Sequence, residues 1–82
     1  MLLSQLAQGV MAVIASVEGA GETDSIARRL QDLGFVAGEP VRVIARGPFA
    51  GEPLAVQIGF PRFALRIAEA SRVRVAVRAQ TP

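Results

Sequence analysis

The side chains that could do chemistry in this chain are few in kind: nine cations, every one an arginine, seven carboxylates and a handful of serines and threonines. Histidine, lysine, cysteine and tyrosine, the usual general bases and nucleophiles, are all absent. Ser16, Ser25 and Ser71 therefore have no imidazole to activate them. Two carboxylates can act as an acid and base pair, but the seven here are scattered, and their expected work is to cap helices or to pair with arginine in solvent. The chain is not expected to be an enzyme.

Metal chemistry meets the same shortage. Borderline ions such as Fe²⁺ and Zn²⁺ favour imidazole and thiolate, so any ion would rest on carboxylates such as Glu18, Glu22, Asp24 or Glu52. No resident metal and no cofactor are expected. Gly19-Ala20-Gly21 stands between a strand pattern and a helix pattern, where a phosphate-binding loop would stand. The third glycine of such a loop is replaced by Asp24, whose charge repels a pyrophosphate, and the parallel βαβ pattern is missing. A nucleotide cradle is therefore not expected.

What remains is contact chemistry. The isoelectric point of 11.1 overstates the basicity, because the net charge is only +2. With almost nothing titrating between the carboxylates and the arginines, the charge is nearly flat over that span. Arg72, Arg74 and Arg78 recur at the spacing of one strand face, with Arg42, Arg46, Arg62 and Arg66 on neighbouring segments. A nucleic-acid surface would interleave such a face with aromatics for stacking, and a surplus of two charges is a small footprint. Solvated strand faces are the expectation, and stable nucleic-acid binding is not. Phe49, in the loop GPFAGEP, is an aromatic where burial is hard to arrange, which marks a contact surface or a lid over an open barrel end. Phe60 shares that ambiguity, whereas Phe35 and Phe63 are expected in the core.

The elements that must position these residues are legible from period and punctuation. A helical turn is expected around Ser4 to Ala7, then a strand from Val10 to Val17. Ile26, Leu30 and Leu33 make one apolar stripe of a short helix, with Asp24 or Ser25 as cap and Gly34 closing the last turn in the left-handed conformation. Gly38-Glu39-Pro40 turns the chain, and the period switches to two: Val41, Val43 and Ala45 alternate with Arg42, Ile44 and Arg46. Leu54, Val56 and Ile58 predict a third strand after a hairpin loop over Gly47 to Pro53, and a short fourth is expected about Phe63 to Arg66. At most a helical turn fits Ile67 to Ser71 before a fifth strand on Val73, Val75 and Val77. Many short strands between glycine and proline turns predict one mainly β domain over residues 1–78, a small barrel or sandwich, with 79–82 as a frayed tail. No apolar run approaches the roughly 18 residues of a membrane helix. The N-terminus lacks the basic residues of an export signal, so a soluble, cytoplasmic chain is expected.

The run RRLQDLGFVAGEPVRV (28–43), the later Gly47-Pro48-Phe49 and Leu65-Arg66-Ile67-Ala68-Glu69-Ala70, and the opening LSQLAQGVMAVIASVEG (3–19) resemble the FeoA family in order and spacing. That resemblance implies an SH3-like barrel of about five strands with one or two short helices. It also implies a small cytoplasmic accessory protein of bacterial ferrous iron uptake that acts on FeoB, a membrane permease with a cytoplasmic GTP-binding domain. Any link to the membrane would then run through the partner alone. Proline-rich peptide binding is not expected despite the fold, since that groove is built from Tyr and Trp and this chain has neither.

The residues expected to carry the contact are Arg28, Arg29 and Asp32 on the outer face of the helix, Phe49 in the loop, and Arg62 and Arg66 on the fourth strand. Two other classes stand beside this reading. One is a nucleic-acid or transcription-regulatory module, because a related SH3-like domain occurs in some metal-dependent repressors. The other is a weakly self-assembling protein that uses an unpaired barrel strand.

Overall fold

The computed structural model describes residues 1–19 and 25–77. Asp24 as a cap, Glu22 and Asp24 as carboxylate donors, the Gly19–Gly21 loop beyond its first residue, Arg78 and the tail 79–82 lie outside the described residues.

Five strands form a single antiparallel sheet: β1 (Ala12–Val17), β2 (Pro40–Gly47), β3 (Gly51–Ile58), β4 (Arg62–Leu65) and β5 (Val73–Val77), in the order β4-β3-β2-β1-β5. A 3-10 turn at Leu3–Gln5 precedes them, α1 (Ser25–Leu33) joins β1 to β2, and α2 (Ile67–Ala70) joins β4 to β5. The fold class is the expected one, mainly β with two short helices. Its core is wholly apolar among the described residues, built from the inward positions of each strand together with Leu3, Leu6, Leu30 and Phe35. Phe35 is fully buried, with its ring centroid 5.8 Å from that of the half-buried Phe63, as expected of both.

Several local expectations shift by a residue or two. β1 begins at Ala12 because Gly9 is drawn off to donate to the Val43 carbonyl (2.8 Å) and Val10 donates back to Ala7 (3.2 Å). α1 buries Ala27 and Leu30 and half-buries Leu33, while Ile26 is 36% exposed, so the stripe lies one position round from the expected one. In β2 the register shifts between Val43 and Ala45; Val41 and Val43 are buried, but past that irregularity Ala45 turns out to solvent. Gly34 has φ +110°, the left-handed stop the sequence called for.

The β2–β3 loop is tighter than the expected Gly47–Pro53 connection. Gly47 already pairs with Gly51, and only Pro48, Phe49 and Ala50 lie beyond the ladder. β4 ends at Leu65, because Arg66 leaves the sheet to become the residue preceding the first turn of α2.

Candidate interaction surface

Arg66 is an unusual choice to open a helix, since its side chain has no oxygen to accept from the free amides of the first turn. Two glutamates supply what is missing. Glu69, inside α2, accepts from the Arg66 N–H through Oε1 (2.9 Å). Glu52, fifteen residues earlier on β3, accepts from the Ile67 N–H through Oε1 (2.6 Å). The β2–β3 hairpin is thus hooked to α2. The second oxygen of Glu69 accepts from the Arg29 guanidinium at 2.7 Å, which ties α1 to the same point. Its side chain is only 13% exposed, so this carboxylate works in a partly dry setting, while Arg29 remains 61% exposed.

Phe49 stands on this hooked hairpin. Its backbone exchanges hydrogen bonds with Glu52, donating to the carbonyl (3.3 Å) and accepting from the amide (3.0 Å), and Ala50 takes φ +56° to close the turn. The ring is 77% exposed. With Glu52, Pro53 and Arg66 it lines an open cleft of about 370 Å³. A lid role for Phe49 does not fit that exposure.

Of the six residues expected to carry a contact, Phe49 and Arg66 share this cleft and Arg29 is joined to it through Glu69. Arg28 and Asp32, four residues apart on α1, are exposed on the same helix. Arg62 is not drawn in. It lies at the other end of β4, opposite Gln57, about 13 Å from Arg66 at 3.3 Å per residue. Phe60, 97% exposed in the β3–β4 turn, is its neighbour there.

The remaining arginines among the described residues are engaged within the fold. Arg46 donates through Nη2 to the carbonyls of Leu6 (2.9 Å) and Ser4 (3.2 Å), clamping the N-terminal turn to β2. Arg42 donates to Gln57 Oε1 (3.0 Å), and Arg74 pairs with Glu18. Arg72 stands in the turn before β5 and is itself engaged, so among the described residues it does not form a free basic strand face with Arg74. Among the described residues, the guanidinium groups of Arg28, Arg62 and Arg66 have no hydrogen-bond or ion-pair partner.

Sequence reasoning missed the anchoring role of Glu52, Glu69 and Arg46. Glu69 had a signal, since it stands three residues after Arg66 where a capping-box glutamate stands. Glu52 and Arg46 had none, because their partners are distant in sequence. Among the described residues no three His, Cys, Asp or Glu side chains converge on a metal-sized site. A second open cleft of about 370 Å³, beside α1, is lined by Phe35, Val36, Val17, Ser16 and Gln31 among others and holds no titratable side chain.

The described residues thus form an antiparallel five-stranded β module that displays an aromatic on a braced hairpin, with Arg66 beside it. The family model described as the FeoA domain matches residues 1–77. The chain belongs to the FeoA family, whose members are small accessory proteins of ferrous iron transport.

No curated protein matches the sequence. Among solved structures, the chain is 58% identical to Stenotrophomonas maltophilia FeoA, described in complex with zinc as an SH3 domain protein, with a TM-score of 0.84 over 93% of this chain and 89% of that one. It is 34% identical to the FeoA protein of Chlorobium tepidum, with a TM-score of 0.82 over 100% of this chain and 74% of that one. T. acidophilum IdeR matches with a TM-score of 0.76 over 95% of this chain and 34% of that one; at 18% identity this shows the fold alone. The SH3-like architecture expected of the sequence is therefore the one found. Among the described residues no helix is long and apolar enough to cross a membrane.

Proposed function

We propose that this FeoA-family chain is a regulatory binding module of a FeoB-type ferrous iron permease, docking from the cytoplasm on its GTP-binding domain or pore. The contact surface is Phe49 and Arg66 with the outer face of α1 at Arg28, Arg29 and Asp32, and Arg62 is an outlying member. The observation that carries this reading is Phe49: an aromatic ring left 77% exposed on a hairpin that Glu52 braces against α2. Exposed aromatics on rigid mounts, beside arginine, are the usual anchors of protein interfaces. The module would act by binding one conformation of the permease better than another, for which a micromolar contact, about −8 kcal/mol, is enough.

Nucleic-acid binding is the weaker reading, because Arg29, Arg42, Arg46 and Arg74 are engaged within the fold. The test is calorimetric titration into the GTP-binding domain of the same organism's permease, with and without nucleotide, using the native chain and Phe49→Ala. Saturable binding that the substitution weakens is the expected result. Binding untouched by it removes the hairpin from the interface, and no binding to the domain or to the intact permease removes the proposal.

A further inference from the structure

β4 is an edge strand, and the phase of its hydrogen bonds can be read from the turn that precedes it. Ile58 N–H donates to the Pro61 carbonyl (3.1 Å) across Gly59 and Phe60, so Ile58 and Pro61 form a hydrogen-bonded pair. The register then continues Gln57↔Arg62, Val56↔Phe63, Ala55↔Ala64 and Leu54↔Leu65. Because such pairs alternate, Phe63 and Leu65 spend their amides and carbonyls on β3, while those of Arg62 and Ala64 point away from the sheet. Nothing among the described residues takes them up. Arg66, the next outward position, has its amide on Glu69 and its carbonyl on the amides of Glu69 and Ala70. β4 therefore presents a free edge two outward residues long. The side chains of Arg62 and Ala64 are exposed on one face of it, and exposed Arg66 stands just beyond.

We infer that this edge accepts an extended acidic segment of a partner protein as an added strand. The inference rests on the interaction surface proposed above and specifies what one part of it recognises. Charge selects the occupant. Arg62 and Arg66 are four residues apart with no partner among the described residues, so an added strand that carries carboxylates at i and i+4 brings one opposite Arg62 and the other within reach of Arg66, just past the end of the edge. Ala64 between them leaves room for a β-branched residue at i+2. A second copy of the chain is disfavoured by the same groups, since antiparallel pairing of two β4 edges about Ala64 sets Arg62 of each against Arg66 of the other. Short, charged edges resist such self-pairing, and here the charges admit a strand of opposite sign. Phe60, 97% exposed beyond the Arg62 end, and Phe49, 77% exposed beside Arg66, offer apolar contacts where the added strand leaves the edge. Main-chain bonds would supply affinity and the flanking side chains selectivity.

The probe is the blocked heptapeptide Thr-Glu-Val-Thr-Val-Glu-Thr, titrated into the ¹⁵N-labelled full chain, with the same peptide bearing lysine for both glutamates as control. The amides of Arg62 and Ala64 should exchange on the order of tenfold more slowly when it is bound, while those of Phe63 and Leu65, already in the ladder, should not change. The lysine peptide should not bind. Arg62→Glu with Arg66→Glu should weaken binding at least about tenfold, as two ion pairs turn repulsive. Ala64→Pro removes one outward donor at a position where an edge strand tolerates proline, and should also weaken it. Peptide binding without slowed exchange at Arg62 and Ala64 overturns the inference, as does full binding to the charge-reversed chain. Slowed exchange that rises with the concentration of the chain alone makes the occupant a second copy, and displacement of the peptide by a thymidine dodecamer makes it a nucleic acid; either overturns it. No permease enters this assay, so the edge can fail while the GTP-binding domain still binds, and the reverse.

Discussion

Gly47 is the residue on which the β2–β3 hairpin closes, and its replacement by alanine has a cost that can be worked out from the space around it. A Cβ built there would lie 2.2 Å from the Glu52 carbonyl oxygen, 2.5 Å from its carbon and 2.7 Å from Cδ of Pro53. Two of these three atoms are backbone, so no flexible side chain can swing aside. A normal contact requires the strands to part by roughly 1 Å, at the pair where Gly47 faces Gly51. Overpacking of this kind costs about 3 kcal/mol, the upper part of its usual range, because the neighbour that must yield is main chain. A domain of this size has a total stability on the order of 4–12 kcal/mol, so Gly47→Ala should still fold at rest. With a urea dependence of about 1 kcal/mol per molar, its unfolding midpoint should drop by about 3 M. Far-ultraviolet circular dichroism is the suitable signal, since the chain has no Trp or Tyr to report by fluorescence. A loss below about 1 kcal/mol would refute the reasoning, for it would mean that the hairpin opens at Gly47 without resistance.

Phe49→Ala, in the same hairpin, should change stability by no more than about 0.5 kcal/mol, because the ring it removes is mostly in solvent; a larger loss in the same urea titration would show that the ring packs against the hairpin. Glu69→Ala strips an acceptor from the Arg66 amide and a partner from Arg29 at one stroke and should cost about 1–2 kcal/mol, against less than about 1 kcal/mol for Arg29→Ala. Equal losses in the two variants would mean that the cap contributes nothing. Arg46→Met keeps the aliphatic stem but leaves the Ser4 and Leu6 carbonyls without their donor, and should cost about 1–2 kcal/mol, with faster amide exchange in the N-terminal turn. Unchanged exchange there would show that the turn is held by Leu3 and Leu6 alone.

The elements that sequence reasoning placed well are those whose signals are local. Gly34 ends α1 and the alternation of Leu54, Val56 and Ile58 marks β3, because backbone conformation and side-chain facing are decided within a few residues. The errors are of two kinds. Ile26, Leu30 and Leu33 compete with Ala27, Leu30 and Leu33 for the buried stripe; a nine-residue helix satisfies either, and its packing against β1 and α2 decides. Ala45 turned outward because a register irregularity interrupts β2 after Val43, and nothing in the alternation announces it. The candidate surface was legible as residue types and not as an arrangement. Arg62 and Arg66 look equivalent in the sequence, yet one end of β4 meets the braced hairpin and the other meets an exposed turn. That difference arises from Glu52 reaching Ile67 across fifteen residues, a contact with no signature in either segment.

The charged residues therefore divide by task, and the division bears on how this protein can evolve and be probed. Glu52, Glu69 and Arg46 join elements distant in sequence, so their loss is read in stability. Arg28, Arg62 and Arg66 join nothing among the described residues, and Asp32 is exposed on the helix that carries Arg28, so their loss should be nearly silent in stability. A surface kept free of structural duty can change its partner preference without endangering the fold, provided the braces beneath it hold. Arg29 is the exception, since it both braces α2 and remains 61% exposed. A partner carboxylate that draws Arg29 away from Glu69 would couple occupation of the surface to the tie between α1 and α2. If the partner displaces Glu69 from Arg29, binding should loosen that tie and quicken amide exchange in the first turn of α2; if it takes only the remaining donors of Arg29 or the arginines without a partner among the described residues, exchange there should slow or stay as it was.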